Sequence, residues 1–144
     1  MRGPIQSVEV SYIIHATEDQ GKVDGAVGGL FSARGEVERE TLEGHFGNPI
    51  VRVRQRFTGA DAESAFGEVA ARLPEKAREE IKDRMGVMMD EHSSLFLRLD
   101  KQALVSGRLA TSEADAVHVR VKPRLYGLKE SPAEFFLRAL SAEG

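Results

Sequence analysis

The stretch EVERETLEGHFGNPIVRVRQRF, residues 36–57, decides how the chain is read. Glu36, Glu38 and Glu40 alternate with Val37, Arg39 and Thr41, and after a turn-rich GHFGNP segment Arg52, Arg54 and Arg56 alternate with Val51, Val53, Gln55 and Phe57. Alternation with period two is the signature of a β-strand with two unlike faces. Folding the segment about Phe46 as an antiparallel hairpin sets Glu40 opposite Arg52, Glu38 opposite Arg54 and Glu36 opposite Arg56, all on one face. Opposed charges across such a ladder contribute roughly 0.2–1 kcal/mol per pair. The expectation is a hairpin carrying a ladder of ion pairs on its outer face.

Working outward, Ser7–Ile14 reads as a strand with Val8, Val10, Tyr12 and Ile14 on one side. Thr17 and Gln20 have capping-box spacing, which predicts a helix burying Val23, Ala26, Val27, Leu30 and Phe31. Glycines 21, 25, 28 and 29 weaken it, unless they mark close packing on the sheet. Beyond the hairpin, Asp61 reads as the cap of a helix with Ala62, Ala65, Phe66, Val69 and Leu73 inward. Pro74 ends it and opens a second helix that gathers Ala77, Ile81, Met85, Met88 and Met89.

A strand over Ser94–Asp100 follows, with Leu95, Leu97 and Leu99 on one face and Phe96, Arg98 and Asp100 on the other. After a short element through Ala103–Val105 and a turn at Glu113–Asp115, a last strand sets Val117, Val119 and Val121 against His118, Arg120 and Lys122, and Pro123 stops it. Ser131-Pro132-Ala133-Glu134 opens a tail helix with Phe135, Phe136, Leu137 and Leu140 on one stripe. These elements describe an α+β fold in two layers, an antiparallel-rich sheet with helices packed on one face, plus the C-terminal tail helix. The expected organisation is one domain over residues 1–130 and a helical tail over 131–144.

Composition bounds the function. With 144 residues, 41% hydrophobic and 30% charged, the chain has the makeup of a folded domain. The absence of cysteine excludes disulfides, thiolate metal sites and a cysteine nucleophile. No signal-peptide pattern and no apolar run of membrane-spanning length occurs, so the expectation is a cytoplasmic protein with no membrane partner. No nucleophile-elbow or phosphate-loop motif occurs, and no cofactor is expected. The net charge of −3 argues against indiscriminate binding of polyanions, but residues 95–144 carry 8 Lys/Arg against 6 Asp/Glu.

A strand face left uncovered by helices is where function is expected. Arg52, Arg54 and Arg56 supply one basic stripe there and His118, Arg120 and Lys122 another, with Arg98 and Lys101 between them in sequence and Arg124 just beyond. Guanidinium forks suit RNA phosphates and stack on unpaired bases. With no Trp, and Phe96 alone among aromatics on the open face, contact with the backbone and shape of structured RNA is expected over stacking of single strands. Two rival readings accompany this one. His15, Glu18, Asp19, His45, Asp90, Glu91 and His92 offer metal-ligand chemistry for a hydrolase, though in no known ligand motif. The tail helix or the Met-rich helix face offers a docking strip for a scaffold protein.

Three stretches carry a family resemblance: His15-Ala16-Thr17-Glu18-Asp19 with the helix after it, Gly44–Ile50, and above all Asp90–Gly107 with its core FLRLDKQALVSG. Together, over about residues 5–122, they resemble the archaeal RNA-binding proteins described as exosome-associated, with a double-stranded-RNA-binding-like fold and a likeness to the 5S-rRNA-binding ribosomal protein. The resemblance implies a non-catalytic accessory factor in RNA processing or degradation, with RNA and exosome or other RNA-processing proteins as partners. It sets Arg98, Asp100, Lys101, Gln102 and Asn48 among the family's characteristic positions.

Overall fold

A computed structural model describes residues 4–43, 47–112, 114–124 and 130–141. In chain order these form β1 (Ile5–Ile14), α1 (Gln20–Gly28), β2 (Glu36–Glu43), β3 (Pro49–Thr58), α2 (Gly59–Arg72), α3 (Glu75–Asp83), α4 (Met85–Met88), β4 (Leu95–Asp100), α5 (Lys101–Val105), β5 (Ala116–Pro123) and α6 (Pro132–Ser141). The strands make one sheet of order β2-β3-β1-β5-β4, antiparallel throughout. The architecture is α+β, as the alternation and the helical stripes require.

The hairpin register is the one the charge pattern dictates: Glu36 faces Arg56, Glu38 faces Arg54 and Glu40 faces Arg52. Its Gly44–Phe46 turn lies outside the described residues. Gly35, just before β2, has φ +67, and a Cβ there would collide with the Arg56 carbonyl. Gly59, at φ +58, lets β3 turn directly into α2.

One face of the sheet is dry. Val8, Val10, Tyr12 and Ile14 of β1, Val53 and Phe57 of β3, Leu95, Leu97 and Leu99 of β4, and Val117, Val119 and Val121 of β5 are buried in one cluster. Ala62, Ala65, Phe66 and Val69 of α2 and Val23 and Val27 of α1 cover them. The edge strand β2 is tied down from this side, where Arg39 pairs with Asp24 of α1 at 2.7 Å and Asp24 accepts the Tyr12 hydroxyl at 2.6 Å. Burial, then that hydrogen bond to a carboxylate, pushes the Tyr12 phenol well above its ordinary value.

The tail helix belongs to this core. Phe135, Phe136 and Leu140 are buried, and Phe136 meets Phe66 edge-on with centroids 5.7 Å apart. Its start is the expected cap, with Ser131 Oγ accepting the Glu134 N–H at 3.2 Å. No helix among the described residues is long and apolar enough to cross a membrane.

Local expectations differ at four places. The cap of α1 is Asp19, which accepts from the Lys22 N–H at 3.1 Å, not Thr17. Asp61 lies inside the first turn of α2, after Thr58 and Gly59 have already started the helix. The second helix breaks at Arg84 into α3 and α4, leaving Met88 and Met89 half-buried. Gly25 and Gly28 pack against nothing, so the glycines of α1 do not mark close approach to the sheet.

Candidate nucleic-acid interface

The face opposite the helices is uncovered, and the registers arrange its side chains in rows running across the strands. One row reads Glu36, Arg56, Glu9, Arg120, Phe96, from β2 through β3, β1 and β5 to β4. The next reads Glu38, Arg54, Ser11, His118, Arg98. Glu40 and Arg52 continue on one side, and Ser7 with Lys122 flank the first row on the other. Strands about 4.8 Å apart give this face a width of roughly 19 Å. Its acids gather on β2 and at Glu9, and its cations on β3, β5 and β4.

The expected ladder closes only once. Arg52 holds Glu40 at 2.6 Å, but Arg54 turns away from Glu38 towards Glu9 on β1, at 3.8 Å. Arg56 has no ion-pair partner among the described residues, and neither do Arg98 and Lys122; all three are exposed. Glu9 is a site residue that the charge pattern of the hairpin does not disclose, although the alternation of β1 sets it beside Ser11 on the open face. Arg120 is partly engaged. It lies 3.6 Å from Asp90, and its guanidinium sits 5.3 Å from the centroid of the Phe96 ring.

His118 stands between these cations. Burial, then the charge of Arg98, lowers its pKa from the ordinary 6.5, while Asp115 pulls weakly the other way. The imidazole is therefore largely neutral at pH 7 and becomes a cation only in acid or beside an added negative charge.

Lys101 is a correction. It is 1% exposed, and its ammonium is held inside by the Ile13 carbonyl at 2.7 Å, Glu18 at 2.8 Å and Asp115 at 2.7 Å. The inward phase of Leu95, Leu97 and Leu99 continues one step to Lys101, which is why it turns away from the open face. Burial acting alone would raise the Glu18 carboxyl, but the Lys101 hydrogen bond, the His15 N–H and the Lys101 charge together hold it below its usual value. Gln102 is exposed on the same side and donates to Glu18 at 3.3 Å. Asn48 is exposed beside the hairpin turn, and Arg124 lies half-buried just past β5 with its N–H on the Pro4 carbonyl at 2.8 Å. Neither belongs to the rows.

Among the described residues, several of the metal-ligand candidates have partners within the protein. His15, Glu18 and Asp115 bring ligand atoms within 4.8 Å of one another, but the Lys101 ammonium already sits between the two carboxylates. Asp90 accepts the N–H groups of His92 and Ser94, each at 2.9 Å, and so closes the turn into β4. Burial opposes its ionisation, but these N–H groups and Arg120 win and keep it charged. His45 lies outside the described residues.

Comparison with known proteins agrees with a nucleic-acid ligand. The chain is 32% identical over 139 residues to the RNA-binding protein PAB1135 of Pyrococcus abyssi, covering 90% of each chain. Its fold matches that of AF2318 from Archaeglobus fulgidus with a TM-score of 0.77 at 30% identity, covering 94% of this chain and 99% of that one. It matches Mth689, a DUF54 protein from Methanothermobacter thermautotrophicus, with a TM-score of 0.75 at 31% identity, covering 96% and 99%. The family model described as RNA binding covers residues 7–123, so the chain belongs to this RNA-binding family.

Proposed function

We propose that the protein holds structured RNA on the open face of its sheet, without catalysing a reaction. One observation carries this reading: Arg56, Arg98 and Lys122, on three different strands, stand exposed on one uncovered face without an ion-pair partner among the described residues. Unneutralised cations spread over a broad sheet face fit the phosphates and 2′-hydroxyls of the wide, shallow minor groove of an RNA helix. Arg120, Arg54 and His118 lie in the same rows and extend the footprint. The acidic β2 edge sets its limit and repels RNA that is misplaced across it.

We further read the protein as an accessory factor in RNA processing or degradation, linked to the exosome. This finer reading is supported by the resemblance of Asp90–Gly107 to that group of proteins, and recovery of exosome subunits with the protein from cells tests it. The RNA reading is tested by replacing Arg56, Arg98 and Lys122 together with Ala and titrating a labelled RNA hairpin by fluorescence anisotropy. Each cation removed from a phosphate should reduce the slope of log affinity against log salt by about 0.7–0.9, so the triple variant should show a slope shallower by about 2 units. Unchanged affinity and slope would remove this face as the RNA site.

A further inference from the structure

At the β4 end of the rows the open face runs into a cavity of about 410 Å³. Val87 and Met88 of α4 and Phe96 of β4 form its apolar wall, and Glu80, Arg84, Arg98, Thr111 and Ser112 supply its polar groups. Three large hydrophobic side chains stand exposed among the described residues; two of them, Val87 at 77% and Phe96 at 38%, line this one cavity. An exposed apolar patch of this kind marks a place where something binds.

The walls are fixed in place. Thr111 bridges to Leu99 of β4 and donates its hydroxyl to Glu80 at 2.5 Å, while Met89 bridges to Leu95. These bridges close the β4 edge against strand addition, so an added β-strand is not the occupant. Phe96 also belongs to the row that ends with Arg120 stacked on its ring, and Arg98 ends the neighbouring row and lines the cavity as well. The cavity is therefore continuous with the cationic face.

We propose that this cavity receives one unpaired nucleobase of the RNA held on the sheet, with Arg98 taking the phosphate of that nucleotide. The inference rests on the RNA reading above and adds a preference to it. A volume near the low end of small-molecule pockets suits one nucleoside. An aromatic wall beside a free guanidinium is the combination that takes up splayed-out bases. An apolar side chain from a protein partner would fill the wall but cover Arg98 without supplying an anion, which is costly.

The test compares a fully paired RNA hairpin with the same hairpin carrying one bulged nucleotide, a fluorescent adenine analogue. Wild-type protein should bind the bulged RNA about tenfold more tightly and change the fluorescence of the analogue, as base–aromatic stacking of this size predicts. Val87→Glu, at an exposed position off the sheet, should erase the preference while keeping the affinity for the paired hairpin; Phe96→Ala should erase it too, with some loss of paired-hairpin affinity because Arg120 loses the ring it rests on. Equal affinity for the two RNAs, or a preference that survives both substitutions, overturns the inference and leaves the cavity to a protein partner. Failure of the open-face reading looks different: there the paired hairpin itself binds independently of Arg56 and Lys122.

Discussion

Replacing Lys101 with Met should destabilise the protein by about 3 kcal/mol while leaving the RNA affinity of the folded molecule unchanged. The magnitude follows from what the ammonium holds. Three oxygens lie within 2.8 Å of it, and the side chain is 1% exposed. Hydrogen bonds to charged groups contribute about 1.5–3 kcal/mol each, offset in part by the desolvation of the ammonium. Without it, Glu18, whose side chain is 14% exposed, loses its counter-charge inside the protein. Asp115 is 49% exposed and rehydrates, so the effect belongs at the lower end of the range for broken buried pairs.

Urea denaturation followed by far-UV circular dichroism gives the difference directly, and the melting temperature should fall by about 10 °C for a chain of this size. The destabilisation should also depend on pH with a definite sign. In the native protein Glu18 ionises below its ordinary 4.5, so its contribution is present at neutral pH and disappears as pH falls through that depressed value. In Lys101→Met, burial dominates and raises the Glu18 pKa, so the folded variant takes up a proton more readily than the unfolded chain. The gap between variant and native protein should therefore narrow in acid. A change under about 0.5 kcal/mol, the size of an ordinary surface substitution, would refute the buried ammonium and return Lys101 to the surface.

His118 predicts a pH dependence of binding: a nearby phosphate raises its depressed pKa, so affinity for RNA should increase as pH drops below 7, and His118→Ala should flatten that profile in anisotropy titrations. Phe136→Ala empties a fully buried site against Phe66 and should cost about 3–5 kcal/mol in urea denaturation, whereas a loosely attached tail would tolerate it. Gly35→Ala meets the Arg56 carbonyl at a positive φ and should cost more than about 1 kcal/mol by the same assay.

The parts of the fold that the sequence makes legible are those where one rule acts alone. The hairpin register can be read because Glu and Arg alternate in opposed order, and a slip by one residue would set the Glu stripe on the face opposite the Arg stripe. The β4 and β5 faces are legible for the same reason. Caps are not, because Thr17 and Asp61 compete with close neighbours, and tertiary demands on Glu18 and Gly59 choose among them. The ion pairs are only half legible. Register brings Arg54 beside Glu38, yet its guanidinium finds Glu9 on the other flanking strand, a neighbour that only the strand order reveals. Lys101 is misplaced on the open face when its charge is weighed above the phase of its strand. The cavity beside Phe96 depends on where the helix breaks at Arg84, of which no sequence pattern gives warning.

Photo-crosslinking the protein to RNA, followed by mapping the attached peptides, tests the central claim most directly. Crosslinks should concentrate on open-face residues of β3, β5 and β4, with Arg56, Lys122 and Arg98 in the modified peptides and α1 and α2 unmarked. Crosslinks confined to α1 or α2 would contradict it, since those helices cover the opposite side of the sheet.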